Sequence, residues 1–183
     1  NKLGKLNKLK KVKTSNTLSV LTTSSKEVRK VSSAKFIAIT GSSGKTSLKD
    51  LLSFCLNKIA PTTKSTQSFN NKFGVPLSLF NVKKNDKFAV LEVGMDRAGE
   101  IDNLTKIIKP NIGVITNISY AHIKNFKSLT EIAKAKSEII NNIVEGGKII
   151  LNRDDEYFDF IKKIAVGKNI SIISFSKKNS LSD

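Results

Sequence analysis

The chain has 183 residues and a formal net charge of +17, from 32 basic and 15 acidic residues. Lysine supplies 29 of the basic residues, and the three arginines are spread along the chain. Arginine is the residue best suited to bidentate recognition of bases and phosphates, and the chain has no tryptophan to stack on bases. The positive charge therefore does not predict a nucleic-acid partner.

Cysteine content and hydropathy limit the class of protein. No apolar run approaches the roughly 20 residues that cross a bilayer, so we expect no membrane span. The single cysteine, Cys55, excludes a disulfide framework and is typical of a reducing, cytoplasmic compartment. Helical spacing predicts an apolar face that includes this cysteine, formed by Leu48, Leu51, Leu52, Cys55, Leu56 and Ile59.

Three regions follow from the composition along the chain. Residues 1–34 are polar and rich in serine and threonine, with a dense lysine run at 2–13, and are interpreted as a linker or the end of a preceding domain, partly flexible. Residues 35–175 alternate between apolar segments and helical patterns and form the predicted domain. Residues 176–183 are a polar tail.

Short apolar runs alternate with helical patterns throughout the predicted domain. This alternation indicates βαβ units, and hence an α/β fold with a mostly parallel sheet and helices on both faces. The predicted strands are 36–40, 88–93, 112–117, 148–152 and 170–175, and the predicted helices are about 45–59, 99–108, 128–143 and 155–165.

The first strand runs into a glycine-rich turn that is typical of a nucleotide phosphate site. The glycines allow the backbone to turn its N–H groups toward an anion, and the following helix adds the positive end of its dipole. Lys45 can reach terminal phosphates, and the Thr46 hydroxyl can ligate Mg²⁺. Ile39 stands where the general pattern has its first glycine, so the loop is a shortened variant. The candidate nucleotide-binding residues are Thr40, Gly41, Ser42, Ser43, Gly44, Lys45, Thr46 and Ser47.

Polar residues close the predicted strands at the edge where parallel sheets bind ligands. Glu92 ends the second predicted strand, Asn117 the third and Asn152 the fourth. A carboxylate in an apolar strand needs a partner, and Mg²⁺ suits such an oxygen ligand. The alternative is an edge-strand glutamate held in a salt bridge. The lone histidine, His122, follows the third strand and is either a surface residue or a metal or substrate ligand.

A lysine lies within the apolar face of the third predicted helix. Ser128 and Glu131 form a capping box that starts this helix, and its spacing centres Lys136 on the apolar face while Lys134 points outward. Lys136 either snorkels to the surface or is a buried amine with a shifted pKa or a chemical modification.

Taken in order, these motifs resemble the central, ATP-binding domain of the Mur ligases, over about residues 14–165. Within the family, the Asn-Asn-x-x-Gly-Val-Pro-Leu segment is similar to that of the members that add D-Ala-D-Ala. Ser68 stands where relatives often have glycine. The matching segments are 40–47, 70–77, Glu92 with Gly94, 99–101, His122, 133–139 and 152–155.

The resemblance implies an ATP-dependent, ADP-forming amide ligase of peptidoglycan precursor synthesis, in the bacterial cytoplasm, serving cell-wall biogenesis, cell shape and cell division. Its substrates would be UDP-N-acetylmuramoyl tripeptide and D-Ala-D-Ala, joined through an acyl phosphate. It also implies an N-terminal and a C-terminal domain that this chain does not contain, so the fragment alone is expected to be inactive. The open alternatives are another Mur ligase step, a folylpolyglutamate synthase and, in a different class, a basic regulatory module with a phosphate loop.

The resemblance also assigns roles to residues. Lys45 and the loop amides would hold the β- and γ-phosphates of ATP, and Thr46 with Glu92 would bind one Mg²⁺. A second Mg²⁺ would be bound by His122 and by Lys136, which is carbamylated in this family. Lys45, His122 and Lys136 are thereby the expected catalytic residues. Asn152 would face the adenine, while Asn70 and Asn71 would line the nucleotide or substrate side.

Overall fold

The computed structural model describes residues 14–120 and 125–178. In these ranges six strands alternate with six α-helices. The elements are α1 (Thr17–Val31), β1 (Lys35–Thr40), α2 (Lys45–Asn57), β2 (Thr62–Lys64), α3 (Gly74–Phe80), β3 (Phe88–Glu92), α4 (Glu100–Ile108), β4 (Ile112–Ile115), α5 (Leu129–Ser137), a 3₁₀ helix (Glu138–Asn142), β5 (Lys148–Asn152), α6 (Phe158–Val166) and β6 (Ser171–Phe175).

The six strands form one parallel sheet in the order β2-β3-β1-β4-β5-β6. The predicted α/β class is confirmed. Strand β1 lies between β3 and β4, and the chain leaves β1 toward one edge of the sheet and its neighbour β4 toward the other, which makes a topological switch point. Ligands of open α/β sheets bind beyond the carboxyl ends of the strands at such a switch point, and the glycine-rich turn follows β1 directly.

Helices cover both faces of the sheet, but unequally. Alternate side chains of the central strands point to opposite faces. On one face Ile37, Ile39, Val90 and Val114 pack under α2, through its half-buried Leu48, Leu52 and Leu56. The larger core lies on the other face, between the sheet and a layer that includes α3, α4, α5 and α6; it contains Phe36, Ala38, Leu91, Ile101, Ile132, Ile139 and Phe158.

Helix α1 occupies much of the segment that the sequence analysis interpreted as a linker. Asn16 caps its N-terminus by accepting a hydrogen bond from the Ser19 backbone N–H at 2.9 Å. The helix packs against α3 and α4. Arg29 donates to the backbone carbonyls of Ile108 and Lys109 and stacks its guanidinium 4.2 Å from the centre of the Phe36 ring. Helix α1 is thus attached both by its packing on α3 and α4, with Leu18, Leu21 and Val28 half-buried, and by the hydrogen bonds of Arg29.

Two further elements were not predicted from the sequence. Strand β2 is three residues long and polar, and it lies at the edge of the sheet, so it carries no hydrophobic signal. Helix α3 contains Gly74 and Pro76, which disfavour a helix prediction; proline is tolerated here because it lies in the first turn.

The third predicted strand and the third predicted helix are shorter than expected. Strand β4 ends at Ile115 instead of residue 117. Helix α5 ends at Ser137 and continues as a 3₁₀ helix. Its predicted start is confirmed, since the Ser128 side chain accepts from the Glu131 backbone N–H at 3.2 Å.

The predicted apolar face of α2 is only partly correct. Leu48, Leu52 and Leu56 contact the core, whereas Cys55 is exposed and Leu51 and Ile59 are 63% and 78% exposed. Only one apolar residue in each turn of the helix contacts the sheet. The apolar residues on either side of that line face outward.

Across the described residues, no helix has both the length and the apolar character needed to cross a membrane.

Candidate active site

The glycine-rich turn has two glycines with positive φ, a conformation that favours glycine. Gly41 has φ +145°, and a Cβ there would lie 1.8 Å from the Thr116 Oγ1. Gly44 has φ +77° and precedes α2 in the left-handed conformation. No side chain caps this helix, so its first backbone N–H groups point out of the helix toward the loop. The arrangement forms an anion site.

The end of β4 holds the loop in place. The backbone N–H of Ser42 donates to the Asn117 carbonyl, and that of Ser43 donates to the Asn117 side-chain oxygen, both at 3.0 Å. Thr116 Oγ1 donates to the Ser43 carbonyl at 2.7 Å. The sequence analysis placed Asn117 at this edge of the sheet but assigned it no role. The available signal was the pair of polar residues, Thr116 and Asn117, at the end of an apolar strand.

Lys45 lies over the loop that precedes it. Its ammonium donates to the carbonyl oxygens of Gly41 at 2.8 Å and Ser42 at 3.4 Å. Burial lowers the pKa of Lys45, and the nearby charge of Glu92 opposes that shift. Thr40, the first residue of the predicted site, is fully buried, and its hydroxyl has no hydrogen-bond partner among the described residues.

Glu92 is the carboxylate at the centre of the site. It is 1% exposed and ends β3, which pairs with β2 on one side and β1 on the other. Its Oε2 accepts from Thr46 Oγ1 and its Oε1 accepts from Asn70 Nδ2, each at 2.8 Å. The alternative of an edge-strand salt bridge is wrong, since β3 is internal and no described cation lies within salt-bridge distance of Glu92.

Thr46 and Glu92 are chemically suited to Mg²⁺. A hydroxyl and a carboxylate oxygen lie side by side at the start of the phosphate-binding helix, and hard oxygen ligands are those that Mg²⁺ prefers. Within residues 14–120 and 125–178, no three His, Cys, Asp or Glu side chains cluster as a metal site. Mg²⁺ usually binds through one or two protein groups with phosphate oxygens and waters, so the small donor set fits that ion.

The loop between β2 and α3 brings two asparagines to the site. Asn70 bonds to Glu92, and the Asn71 side chain caps the start of α3 by accepting from the Phe73 and Gly74 backbone N–H groups. A cavity of about 570 Å³ opens beside this loop. Its wall includes Lys45, Asn70, Asn71, Lys72, Phe73, Gly94, Met95, Asp96 and Glu100.

Lys136 is buried, as its position on the apolar face predicted, and Lys134 is exposed. Lys136 is 2% exposed and has no salt bridge to any described residue. Burial is the main cause that lowers its pKa from 10.5 to about 7, and the charge of Lys45 adds to the shift. The snorkelling alternative is therefore wrong. A large share of the amine is neutral at physiological pH.

The remaining predicted site residues lie at the margin or outside the described ranges. Asn152 ends β5 and caps the next turn by accepting from the Asp154 backbone N–H at 3.0 Å. It shares a small crevice with Asn117. Asp155 accepts from the Ile118 backbone N–H at 2.7 Å, a contact that the sequence did not predict. His122 lies outside the described residues.

The comparisons with known proteins agree on one family. The Mur ligase middle domain model matches residues 39–183. A curated relative from Buchnera aphidicola, named UDP-N-acetylmuramoyl-tripeptide–D-alanyl-D-alanine ligase, is 44% identical over 84% of this chain and 33% of its own length. A MurF crystal structure from Acinetobacter baumannii has a TM-score of 0.85 and 36% identity, over 90% of this chain and 36% of that one.

A structure of MurF ligase from Thermotoga maritima in complex with ADP has a TM-score of 0.77 and 28% identity, over 93% of this chain and 40% of that one. The chain therefore spans about a third of the length of the relatives that it matches. With a family model over most of its residues and the expected fold, this chain belongs to the Mur ligase family.

Proposed function

We propose that this chain is the ATP-binding part of a ligase that joins D-Ala-D-Ala to UDP-N-acetylmuramoyl tripeptide, in the cytoplasmic synthesis of the peptidoglycan precursor. Relatives at 34–44% identity are named for this reaction. The observation that carries the proposal is the pairing of the phosphate loop with Glu92 at the carboxyl edge of the sheet, beside a buried Lys136 whose pKa the charge of Lys45 lowers. Their chemistry suits phosphoryl transfer from ATP to a carboxylate.

The loop and α2 would bind the triphosphate. Backbone N–H groups of 44–47, at the start of α2, would surround the β- and γ-phosphates. The Lys45 ammonium would move from the Gly41 carbonyl to the phosphate oxygens. Thr46 and Glu92 would hold one Mg²⁺. This ion would neutralise the negative charge that develops on the transferred phosphoryl group. Asn70 would keep the Glu92 carboxylate oriented through its 2.8 Å hydrogen bond.

Lys136 would become a carbamate. Its neutral amine can add to CO₂, forming an N–C bond and releasing a proton, and the resulting anion would remove the repulsion with Lys45. Lys136 and His122 would together hold a second Mg²⁺. This assignment explains why a cationic side chain is buried beside another cation, an arrangement that is unfavourable while both are charged.

The substrates would meet at the cavity beside Lys45. The tripeptide carboxylate would attack the γ-phosphorus while the bond to ADP breaks, and the D-Ala-D-Ala amine would then attack the acyl carbon while phosphate leaves. Asn70 and Asn71, which line this cavity, would face the nucleotide or the substrate. Asn152, beside the crevice at the end of β5, would face the adenine.

The rest of the enzyme would supply the substrate contacts that this chain lacks. We expect an N-terminal domain that holds the UDP-sugar and a C-terminal domain that closes over ATP, with residues 35–175 forming most of the central domain. Catalysis of this kind needs both reactants held within reacting distance, so the chain by itself should bind nucleotide and not ligate.

Release of ADP by the full-length enzyme tests the proposal. With UDP-N-acetylmuramoyl tripeptide and Mg²⁺, release that continues only when D-Ala-D-Ala is added supports it. Turnover with a single amino acid, or with a folate and glutamate, would assign another ligase step. Salt-dependent binding of DNA without any ligation would favour a regulatory module.

A further inference from the structure

Lys49 is a second buried lysine, and the proposed reaction gives it no role. It is 1% exposed and lies on α2, one turn after the phosphate-loop lysine. Its ammonium donates to the backbone carbonyl of Gln67 and lies 3.6 Å from the Asp50 carboxylate. Asp50 is half exposed and bonds more closely, at 2.7 Å, to Lys64. The buried charge of Lys49 is thus directed mainly at one carbonyl of a loop.

That loop, residues 65–71, is fixed at both ends to the end of β3. At its start, Ser65 Oγ accepts from the Glu92 backbone N–H at 3.1 Å. At the end of the loop, the Asn70 side chain donates to the Glu92 carboxylate. The backbone carbonyl of Asn70 accepts from the Gly94 backbone N–H at 2.8 Å. The middle has no strand or helix to hold it. Gln67 is in the left-handed region at φ +46°, which is unfavourable for a residue that carries a side chain.

We propose that Lys49 is a positioning residue, which holds the 65–71 loop so that Asn70 orients the Glu92 carboxylate for Mg²⁺. The proposal rests on the proposed function, because it assumes that Thr46 and Glu92 bind the metal. Lys49 shares α2 with Thr46, so it couples the helix that receives the phosphates to the loop that restrains the metal ligand. Groups that orient a ligand in this way typically change metal affinity by about 10- to 100-fold.

Lys49→Met keeps the aliphatic stem and removes the donor to Gln67. In the full-length enzyme we expect the Mg²⁺ concentration that half-saturates ADP binding to rise about tenfold, while metal-free ADP binding is unchanged. In the metal-free protein, the Gly94 amide should exchange with solvent faster by NMR, because its acceptor, the Asn70 carbonyl, is released. Lys64→Met, which removes only the exposed pair with Asp50, is the control and should change neither quantity.

A double-mutant cycle with Asn70→Ala separates positioning from general destabilisation. If Lys49 acts through Asn70, the double variant should need no more Mg²⁺ than Asn70→Ala alone. Additive effects, or a folded Lys49→Met variant with normal Mg²⁺ dependence and normal Gly94 exchange, would overturn the proposal. Should Lys49→Met fail to fold, Lys49→Gln, which removes the charge and shortens the side chain by one atom, is measured against the same expectations.

The wild-type titration separates this proposal from the function on which it rests. If the wild type binds ADP without any Mg²⁺ dependence, the metal assignment fails and the proposed function with it. If the wild type depends on Mg²⁺ and Lys49→Met behaves identically, only the positioning role of Lys49 fails.

Discussion

Replacing Lys136 by methionine should stabilise the isolated chain at neutral pH. Methionine approximates the aliphatic stem and carries no charge, so the packing on the apolar face of α5 is kept while the buried amine is removed. Burial lowers the pKa of Lys136 from 10.5 to about 7, at a cost of about 1.4 kcal/mol per unit. The penalty is greatest below pH 7. At pH 7, where about half the folded amine is neutral, the substitution should raise the free energy of unfolding by up to about 4 kcal/mol.

The sign of the pH dependence follows from proton binding. Between about pH 7 and about pH 10.5 the unfolded lysine is protonated and the folded one is largely neutral. The unfolded state therefore binds more protons, so the stability of the wild type should rise with pH across this window. Below pH 7 the lysine is charged in both states and adds no slope. The Lys136→Met variant should lack this contribution to the rise.

Urea unfolding of both proteins in CO₂-free, Mg²⁺-free buffer, from about pH 6 to about pH 10, measures the difference. Lys134→Met on the exposed side of α5 is the matched control and should change stability by less than about 0.5 kcal/mol. A Lys136→Met variant no more stable than wild type at pH 7, or a difference between them that does not shrink toward pH 10, would refute the reasoning. Added ¹³C-bicarbonate should give a carbamate signal in the wild type and none in Lys136→Met.

Other substitutions test the loop and the first helix. Lys45→Ala should abolish measurable ATP binding in a folded protein, and an unchanged affinity by titration calorimetry would contradict the phosphate-loop assignment. Gly41→Ala should destabilise the fold by more than about 2 kcal/mol, because its Cβ would overlap the Thr116 hydroxyl. Gly44→Ala, with no atom within 4 Å, should cost only the backbone strain of about 1 kcal/mol; urea unfolding compares the two. Arg29→Met should cost about 2 kcal/mol, and unchanged thermal unfolding would show that α1 is not attached through it.

Local sequence patterns predicted the parts of this protein that depend on burial alone. Strands β1, β3 and β5 are continuous apolar runs because both of their faces are covered, and the glycine-rich turn is recognisable because its positive φ angles favour glycine. Lys136 was placed on a buried face by helical spacing alone, and Lys134 on the exposed one. In each case the physical cause lies within one segment of the chain.

Tertiary structure decided what depends on contacts between distant segments. The polar strand β2 pairs because β3 offers it a free edge, and Arg29 of helix α1 bonds to two backbone carbonyls at the end of α4. Spacing placed Cys55 among buried leucines, yet the width of α2 that the sheet covers leaves it exposed. The partners of Glu92, the support that Asn117 gives to the loop and the buried charge of Lys49 all arise where parallel strands bring separate segments to one edge. A sequence pattern shows which face of a segment is apolar, but only the packed sheet determines which neighbour that face meets.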